Sequence, residues 1–280
     1  MLPNDIEATV RLALAEDIGS GDLSAALITE QARASASVIS REAAVLCGTA
    51  WFNEVFWQLD DSITTAWKLA DGDRVQPGDT LCELQGAARA ILTGERTALN
   101  FLQTLSGTAT RARQFADAVA GTRARILDTR KTLPGLRQAQ KYAVRCGGCA
   151  NHRMGLYDGI LIKENHLRAI GSIPGAIQQA QRSAPTGVMI EVEVTSLDEV
   201  KQALSAGAGR LLLDNFPLEQ LKAAVSLANG QAILEASGGV TMDNIRVIAE
   251  TGVDYISVGD LTKSVAAIDL SMQFDLPPRT

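Results

Sequence analysis

Six short runs in the second half of the chain end in residues able to do chemistry. They are Asp128-Thr129-Arg130-Lys131-Thr132, then Lys163 followed by Glu164, Asn165 and His166, then Glu191 with Glu193, then Asp214-Asn215, Ser237-Gly238-Gly239 and Val258-Gly259-Asp260. Charged groups at four successive runs, followed by two glycine-bearing loops, suit a pocket for a polyanion. Glu193 and Asp214 offer oxygen ligands for Mg²⁺, held directly or through water. The competing reading of those two carboxylates is a structural ion pair with Lys131 or Lys163. The two last loops resemble a phosphate cradle, in which backbone N–H groups and a helix start hold the anion. Glycine in such a loop often only closes a turn.

Charge is concentrated in the same region. Between Asp128 and Arg168 stand eight basic residues (Arg130, Lys131, Arg137, Lys141, Arg145, Arg153, Lys163, Arg168) against the three acids Asp128, Asp158 and Glu164. The chain as a whole is −6, so this segment at +5 leaves −11 for the rest. A solvated helix face is the plain explanation. Several of these cations fall beside strand ends or in loops, however, which favours an anion site.

Elements of alternating kind must position these residues. From about Arg123, β-rich runs (RARILD, DGILIKEN, GVMIEVEV, GRLLLDN, QAILEASGG, VDYISVGD) alternate with helical stretches. That rhythm predicts a parallel sheet, here closed as an α/β barrel, whose chemistry gathers where strands end. The first half reads as α+β: a helix over 5–16, strands within 33–48, a helix over 50–59, two strands around DGDRVQPGD, and helices over 87–106 and 108–120. A boundary near residue 115 gives domains of 1–115 and 116–267, with the tail 268–280 folding back onto the first.

Composition narrows the class. With 46% apolar and 21% charged residues among 280, the chain suits a globular protein with a sizeable core. No apolar run approaches the roughly 20 residues of a membrane span, and the acidic N-terminus does not read as a signal peptide. A cytoplasmic enzyme with four reduced cysteines is expected. The net negative charge argues against nucleic-acid binding.

The ordered set EDIGSGDLS, GERTALNFLQTLSGTAT, DTRKTLPGLR, KYAV, NHR, LIKENH, EVEV, LDN and SVG resembles the quinolinate phosphoribosyltransferases along nearly the whole chain. The resemblance implies an N-terminal α/β sandwich followed by a TIM-like α/β barrel, assembled as a homodimer or a multiple of dimers. It implies transfer of the phosphoribosyl group of phosphoribosyl pyrophosphate to quinolinate, with loss of CO₂ and with Mg²⁺ as cofactor. By the same resemblance Arg130, Arg153 and Lys163 bind the quinolinate carboxylates, with Thr129 and His152 beside them. Lys131, Glu193 and Asp214 face phosphoribosyl pyrophosphate and its metal, Ser237, Gly238, Gly239, Val258, Gly259 and Asp260 hold the 5′-phosphate, and Arg96 reaches the substrate in the other subunit. The resemblance also implies Lys131, Lys163, Glu193 and Asp214 as the catalytic set.

Other readings stand beside this one. A paralogous phosphoribosyltransferase would act on nicotinate or a related acid. A biotinyl or lipoyl carrier needs a modifiable lysine where DGDRVQPGD offers only Arg74. A silent metabolite-binding barrel would not need Lys131, Glu193 and Asp214 together. Cys146-Gly147-Gly148-Cys149 departs from a third glycine usual before NHR and forms a CxxC with His152 three residues on; it lacks the further ligands of a zinc site and the context of a redox pair.

Overall fold

The computed structural model describes residues 1–275. In chain order the elements are α1 (Ile6–Ile18), β1 (Arg33–Ser40), β2 (Ala44–Val45), α2 (Thr49–Leu59), β3 (Thr64–Trp67), β4 (Arg74–Val75), β5 (Thr80–Ala87), α3 (Ala88–Ala118), β6 (Arg125–Leu127), α4 (Arg137–Cys146), β7 (Gly159–Ile162) and α5 (Glu164–Ile170). There follow α6 (Ile173–Ser183), β8 (Met189–Val194), α7 (Leu197–Ser205), β9 (Arg210–Asp214), α8 (Leu218–Ala228), β10 (Ile233–Ser237), α9 (Ile245–Ala249), β11 (Tyr255–Ser257), α10 (Asp260–Lys263) and β12 (Leu270–Asp275). The chain divides into two compact units. One takes Met1–Arg113, Thr132–Gly148 and the residues from Ser264, and the other takes Gln114–Lys131 and Cys149–Lys263. This differs from a single cut near residue 115, because 132–148 joins the first unit and the barrel unit stops at Lys263. Of the tail 268–280, residues 276–280 lie outside the described residues.

The first unit is built on an antiparallel sheet of order β12-β1-β5-β3. In β1 every second residue (Ala34, Ala36, Val38, Ser40) is buried, the period a one-faced strand requires. Its register sets Val38 against Cys82 of β5 and Met272 of β12. Helix α2 places Trp51, Phe52, Val55 and Phe56 on one face, all fully buried, and Phe52 meets Phe56 and Trp67 edge to face at 5.1 and 5.2 Å. Each such side chain contributes about 1.5–3 kcal/mol. The DGDRVQPGD turns close on their own carboxylates: Asp73 accepts the Ala70 N–H and Asp79 the Gln76 N–H, both at 2.8 Å.

Two sequence expectations fail in this unit. The helices over 87–106 and 108–120 are one helix, α3, running through Gly107. Glycine stands there for space: a Cβ at that position would lie 2.0 Å from the Ala266 carbonyl oxygen. The segment 137–146, for which the sequence predicted no helix, forms α4, and of its cations Arg137, Lys141 and Arg145, four apart, Lys141 is fully buried.

The second unit is a parallel sheet of order β6-β11-β10-β9-β8-β7, with helices between strands, curled into an α/β barrel. First strand β6 lies beside last strand β11, Ile126 opposite Ile256. On the other side of β6, Ala150 bridges Leu127, with the Ala150 N–H donating to the Ile126 carbonyl at 2.8 Å. Arg153 Nη1 then donates to the Gly159 carbonyl of β7 at 2.8 Å, so residues 150–153 bridge the first and second strands. Outward residues Val192, Val194, Leu211, Leu213, Leu234 and Ala236 are buried, as are Ile177, Val200, Leu221 and Ile245 on the helices. Among the described residues no helix is long and apolar enough to cross a membrane.

Gly107 gives a test in which two effects oppose. Helix propensity favours Gly107→Ala by about 1 kcal/mol, whereas overpacking costs typically about 1–3 kcal/mol. With a backbone oxygen 2.0 Å from the new methyl, sterics should win. Scanning calorimetry should show a lower Tm for the variant; a higher one would contradict the close approach.

Candidate active site

The barrel strands turn alternate residues inward, and the site follows from that parity. Strand β9 turns in Arg210, Leu212 and Asp214, β10 turns in Glu235 and Ser237, and β8 turns in Glu191 and Glu193. The register sets Glu193 and Glu235 each opposite Leu212, and Asp214 opposite Ser237. Leu212, Asp214, Glu235, Ser237 and Glu193 of this set line a cavity of about 230 Å³, with Glu191 and Arg210 one layer behind its wall. Thr129, Arg130, Lys131, His152, Arg153, Lys163, Glu193, Asp214 and Ser237, all anticipated, line it together.

The remaining anticipated residues stand elsewhere. Gly238, Gly239, Val258, Gly259 and Asp260 follow the strand ends without lining the cavity. Gly238 and Gly239 have φ of +94° and +60°, which only glycine adopts freely, and a Cβ on Gly238 would meet Asn215 Oδ1 at 2.1 Å. Gly259 has Lys131 Cδ 3.1 Å from where a Cβ would stand, so its bare backbone makes room for that lysine. Val258 is buried and its N–H donates to the Leu127 carbonyl, which leaves it no donor for an anion. Arg96 lies on α3 in the first unit.

The Asn-His-Arg run is organised by Asp128, which is fully buried. One Asp128 oxygen accepts the His152 N–H at 2.9 Å, and the other accepts Asn151 Nδ2 at 2.6 Å. The Arg153 N–H donates to His152 Nδ1 at 2.7 Å, so the ring proton sits on Nε2, which donates to Glu191 at 2.9 Å. Both ring nitrogens are thus engaged within the protein, and His152 presents its ring, not a free nitrogen, to the cavity. Burial, and after it the positive charge of Arg130, pushes the Arg153 guanidinium below its ordinary value, while Asp158 and Glu191 pull the other way. Lys131 is fixed through its backbone: its N–H donates to Thr129 Oγ1 at 3.1 Å, and its carbonyl accepts from buried Thr262 Oγ1 at 2.7 Å.

Beneath them lies a buried ionic floor. Arg210 donates from Nε to Glu191 at 2.8 Å and from Nη2 to Glu235 at 2.5 Å, with its guanidinium 4.8 Å over the Tyr255 ring. Burial opposes the Glu191 charge, but His152 and Arg210 outweigh it and hold that carboxyl below its ordinary range. Glu235 goes the other way, raised by burial and then by the charge of Glu191.

The fit to a metal can be tested on Glu193 and Asp214. Glu193 is ion-paired with Lys163 at 3.0 Å, and Asp214 accepts from Asn215 Nδ2 at 2.9 Å. Both carboxylates line the cavity without being fully buried. Two oxygen donors, completed by water and substrate oxygens, fit the habit of Mg²⁺. The CxxC does not act as a pair here: the thiol neighbour of Cys146 is Cys47, within 4.8 Å and next to Asp71, while Cys149 is buried in the barrel unit.

Comparison with known proteins gives the family. The N-terminal domain of quinolinate phosphoribosyl transferase matches residues 22–106, and the C-terminal domain matches residues 108–273. The chain belongs to the quinolinate phosphoribosyl transferase family. It is 43% identical over 273 residues to the nicotinate-nucleotide pyrophosphorylase [carboxylating] of Mycobacterium leprae, covering 94% of this chain and 95% of that one. It is 41% identical over 261 residues to the probable enzyme of that name from Bacillus subtilis, covering 93% and 90%. Among solved structures, the nicotinate-nucleotide pyrophosphorylase from Francisella tularensis is 48% identical with a TM-score of 0.93, covering 98% of each chain.

Within this family fold, strand-end reading overlooked Arg210, and it overlooked Glu235, Ser257, Leu161 and Leu212, which line the cavity. A signal was present. Glu235 precedes Ser237 by two residues, as Glu191 precedes Glu193, so the inward period of each strand reaches one layer deeper than its end.

Arg210→Met would leave two buried carboxylates without their cation. Breaking a buried pair costs about 3–5 kcal/mol. Without the guanidinium, both glutamates have folded pKa values above their unfolded ones. Their contribution is then most favourable below the unfolded pKa and is lost as pH rises through the folded one. Urea denaturation should show a deficit at about pH 8 that shrinks towards about pH 5. A deficit independent of pH would contradict the ionic floor.

Proposed function

We propose that this protein transfers the phosphoribosyl group of phosphoribosyl pyrophosphate to quinolinate, giving nicotinate mononucleotide, pyrophosphate and CO₂, a step towards NAD. The observation that carries this reading is the gathering of four cations, Arg130, Lys131, Arg153 and Lys163, on one cavity, where the charge of Arg130 helps to lower the Arg153 guanidinium. Quinolinate carries two adjacent carboxylates, and planar Arg forks accept such groups bidentately. In this reading Arg130, Arg153 and Lys163 bind the carboxylates, and Thr129 and the ring of His152 border the acid. Lys131 meets the phosphoribosyl donor, and Ser237 to Gly239 with Gly259 and Asp260 supply N–H groups to its 5′-phosphate.

Glu193 and Asp214 would hold Mg²⁺, which when bound neutralises the departing pyrophosphate. The same carboxylates, half-open to the cavity, stabilise the positive charge that develops on the ribosyl ring as the pyrophosphate bond stretches. Lys163 must then release Glu193, and an incoming carboxylate offers it a replacement partner. Fixed cations also stabilise the electron density that decarboxylation leaves on the ring. A cytoplasmic setting belongs to this reading, and the four free thiols support it.

The test is direct. With quinolinate, phosphoribosyl pyrophosphate and Mg²⁺, mass detection should find nicotinate mononucleotide and CO₂, and nicotinate offered in place of quinolinate should give little product. Turnover of nicotinate alone would overturn the assignment in favour of the paralogous activity.

A twofold dimer sharing its sites is part of the proposal, with Arg96 of one subunit serving the barrel of the other. Mixing inactive Arg96→Ala and Lys131→Ala under subunit exchange creates dimers with one doubly defective and one intact site. Random pairing should restore activity to about a quarter of wild type. No recovery, with exchange confirmed by native mass spectrometry, would assign Arg96 to its own subunit.

A further inference from the structure

We propose that Glu235 is the acid that delivers a proton to the pyridine carbon from which CO₂ departs. This rests on the activity proposed above and assigns the one step it leaves without a donor. Glu235 lines the cavity although its side chain is fully buried from solvent. Its Oε2 accepts from Arg210 Nη2, but its Oε1 has no hydrogen-bond partner. The nearest donor, His152 Nε2, is 3.7 Å away and committed to Glu191. An unpartnered oxygen so deeply buried is costly unless a ligand or a proton completes it.

The charge count supplies the proton. Glu191 from β8 has both oxygens filled, one by Arg210 and one by His152. Arg210 from β9 is a single cation between two buried carboxylates, and Tyr255 of β11, in register with Glu235, adds none. One guanidinium cannot neutralise both acids, and an excess buried charge is removed most cheaply by protonation. The oxygen free to take that proton is Oε1 of Glu235. Burial and the charge of Glu191 both favour the protonated form.

The chemistry requires such a group. When the bond from ring carbon to carboxylate breaks, CO₂ leaves neutral and the electron pair stays on the carbon next to the cationic ring nitrogen. Without a nearby acid that pair recaptures CO₂. Transfer of the proton from Oε1 forms the new C–H bond and leaves Glu235 as a carboxylate, held by Arg210. Water restores the proton once the product has left. The cations gathered at Arg130, Arg153 and Lys163 hold the carboxylates, so the floor with Leu161, Leu212 and Glu235 faces the ring.

Glu235→Gln keeps the shape and removes the transferable proton. In single-turnover experiments with quinolinate, phosphoribosyl pyrophosphate and Mg²⁺, the variant should release pyrophosphate at near the wild-type rate. Carbon dioxide should lag at least about tenfold, about 1.4 kcal/mol of barrier, and quinolinate mononucleotide should accumulate, detectable by mass. Unchanged CO₂ release would overturn the proposal, as would equal slowing of both products. Failure of the underlying reading looks different, since wild-type protein would then give no pyrophosphate from quinolinate. Should Glu235→Gln not fold, infrared spectra of the wild-type protein decide: a protonated-carboxyl band at neutral pH supports the proposal, and its absence overturns it.

Discussion

Two buried carboxylates share one guanidinium at the floor of this barrel, and the cavity above is arranged around that shortage. Arg210 can satisfy Glu191 fully only because His152 supplies the second donor. That fixes the His152 ring, whose Nδ1 then takes the N–H of Arg153. Arg153 in turn reaches the Gly159 carbonyl at the edge of β7. A chain of single hydrogen bonds thus runs from the barrel floor to the guanidinium that faces the cavity, and preorganisation of this kind is what a charged ligand needs in order to bind without ordering cost.

The layer above is arranged in the opposite sense. Below, one guanidinium serves two carboxylates, Glu191 and Glu235. At the mouth, Arg130, Lys131, Arg153 and Lys163 exceed Glu193 and Asp214 by two. Glu191 is completed within the protein, Glu235 keeps one oxygen without a partner, and the mouth collects cations suited to an anion. Burial and the charge of Arg130 lower the Arg153 guanidinium, a cost that a folded protein tolerates at a binding site, and a dicarboxylate offsets it. Asp128 makes this possible at a distance: by binding Asn151 and the His152 backbone it holds the Asn-His-Arg run against β6.

Much of this was legible in the sequence because barrel chemistry sits at strand ends, where a change of period marks each boundary. Thr129 to Lys131, Lys163, Glu193, Asp214 and Ser237 could each be read from position alone. Glu235 and Arg210 could not be read in that way, since a charged residue inside a strand declares itself inward only once its register is known. Helix α4 was missed because its ten residues carry few large apolar side chains to mark a helical period. Gly107 looked like a helix stop because the close approach of Ala266 comes from a segment 159 residues further on. Cys146 looked like half of a CxxC, yet its thiol neighbour Cys47 lies in a loop distant in sequence.

The central claim is that the cavity mouth is built for two adjacent carboxylates. Isothermal titration calorimetry of quinolinate and of nicotinate, on wild type and on Arg153→Lys, tests it most directly. The account predicts that quinolinate binds at least about tenfold more tightly than nicotinate, about 1.4 kcal/mol, and that the gap narrows when Lys replaces the Arg153 fork. Equal affinities for the two acids, or a gap untouched by the substitution, would contradict it.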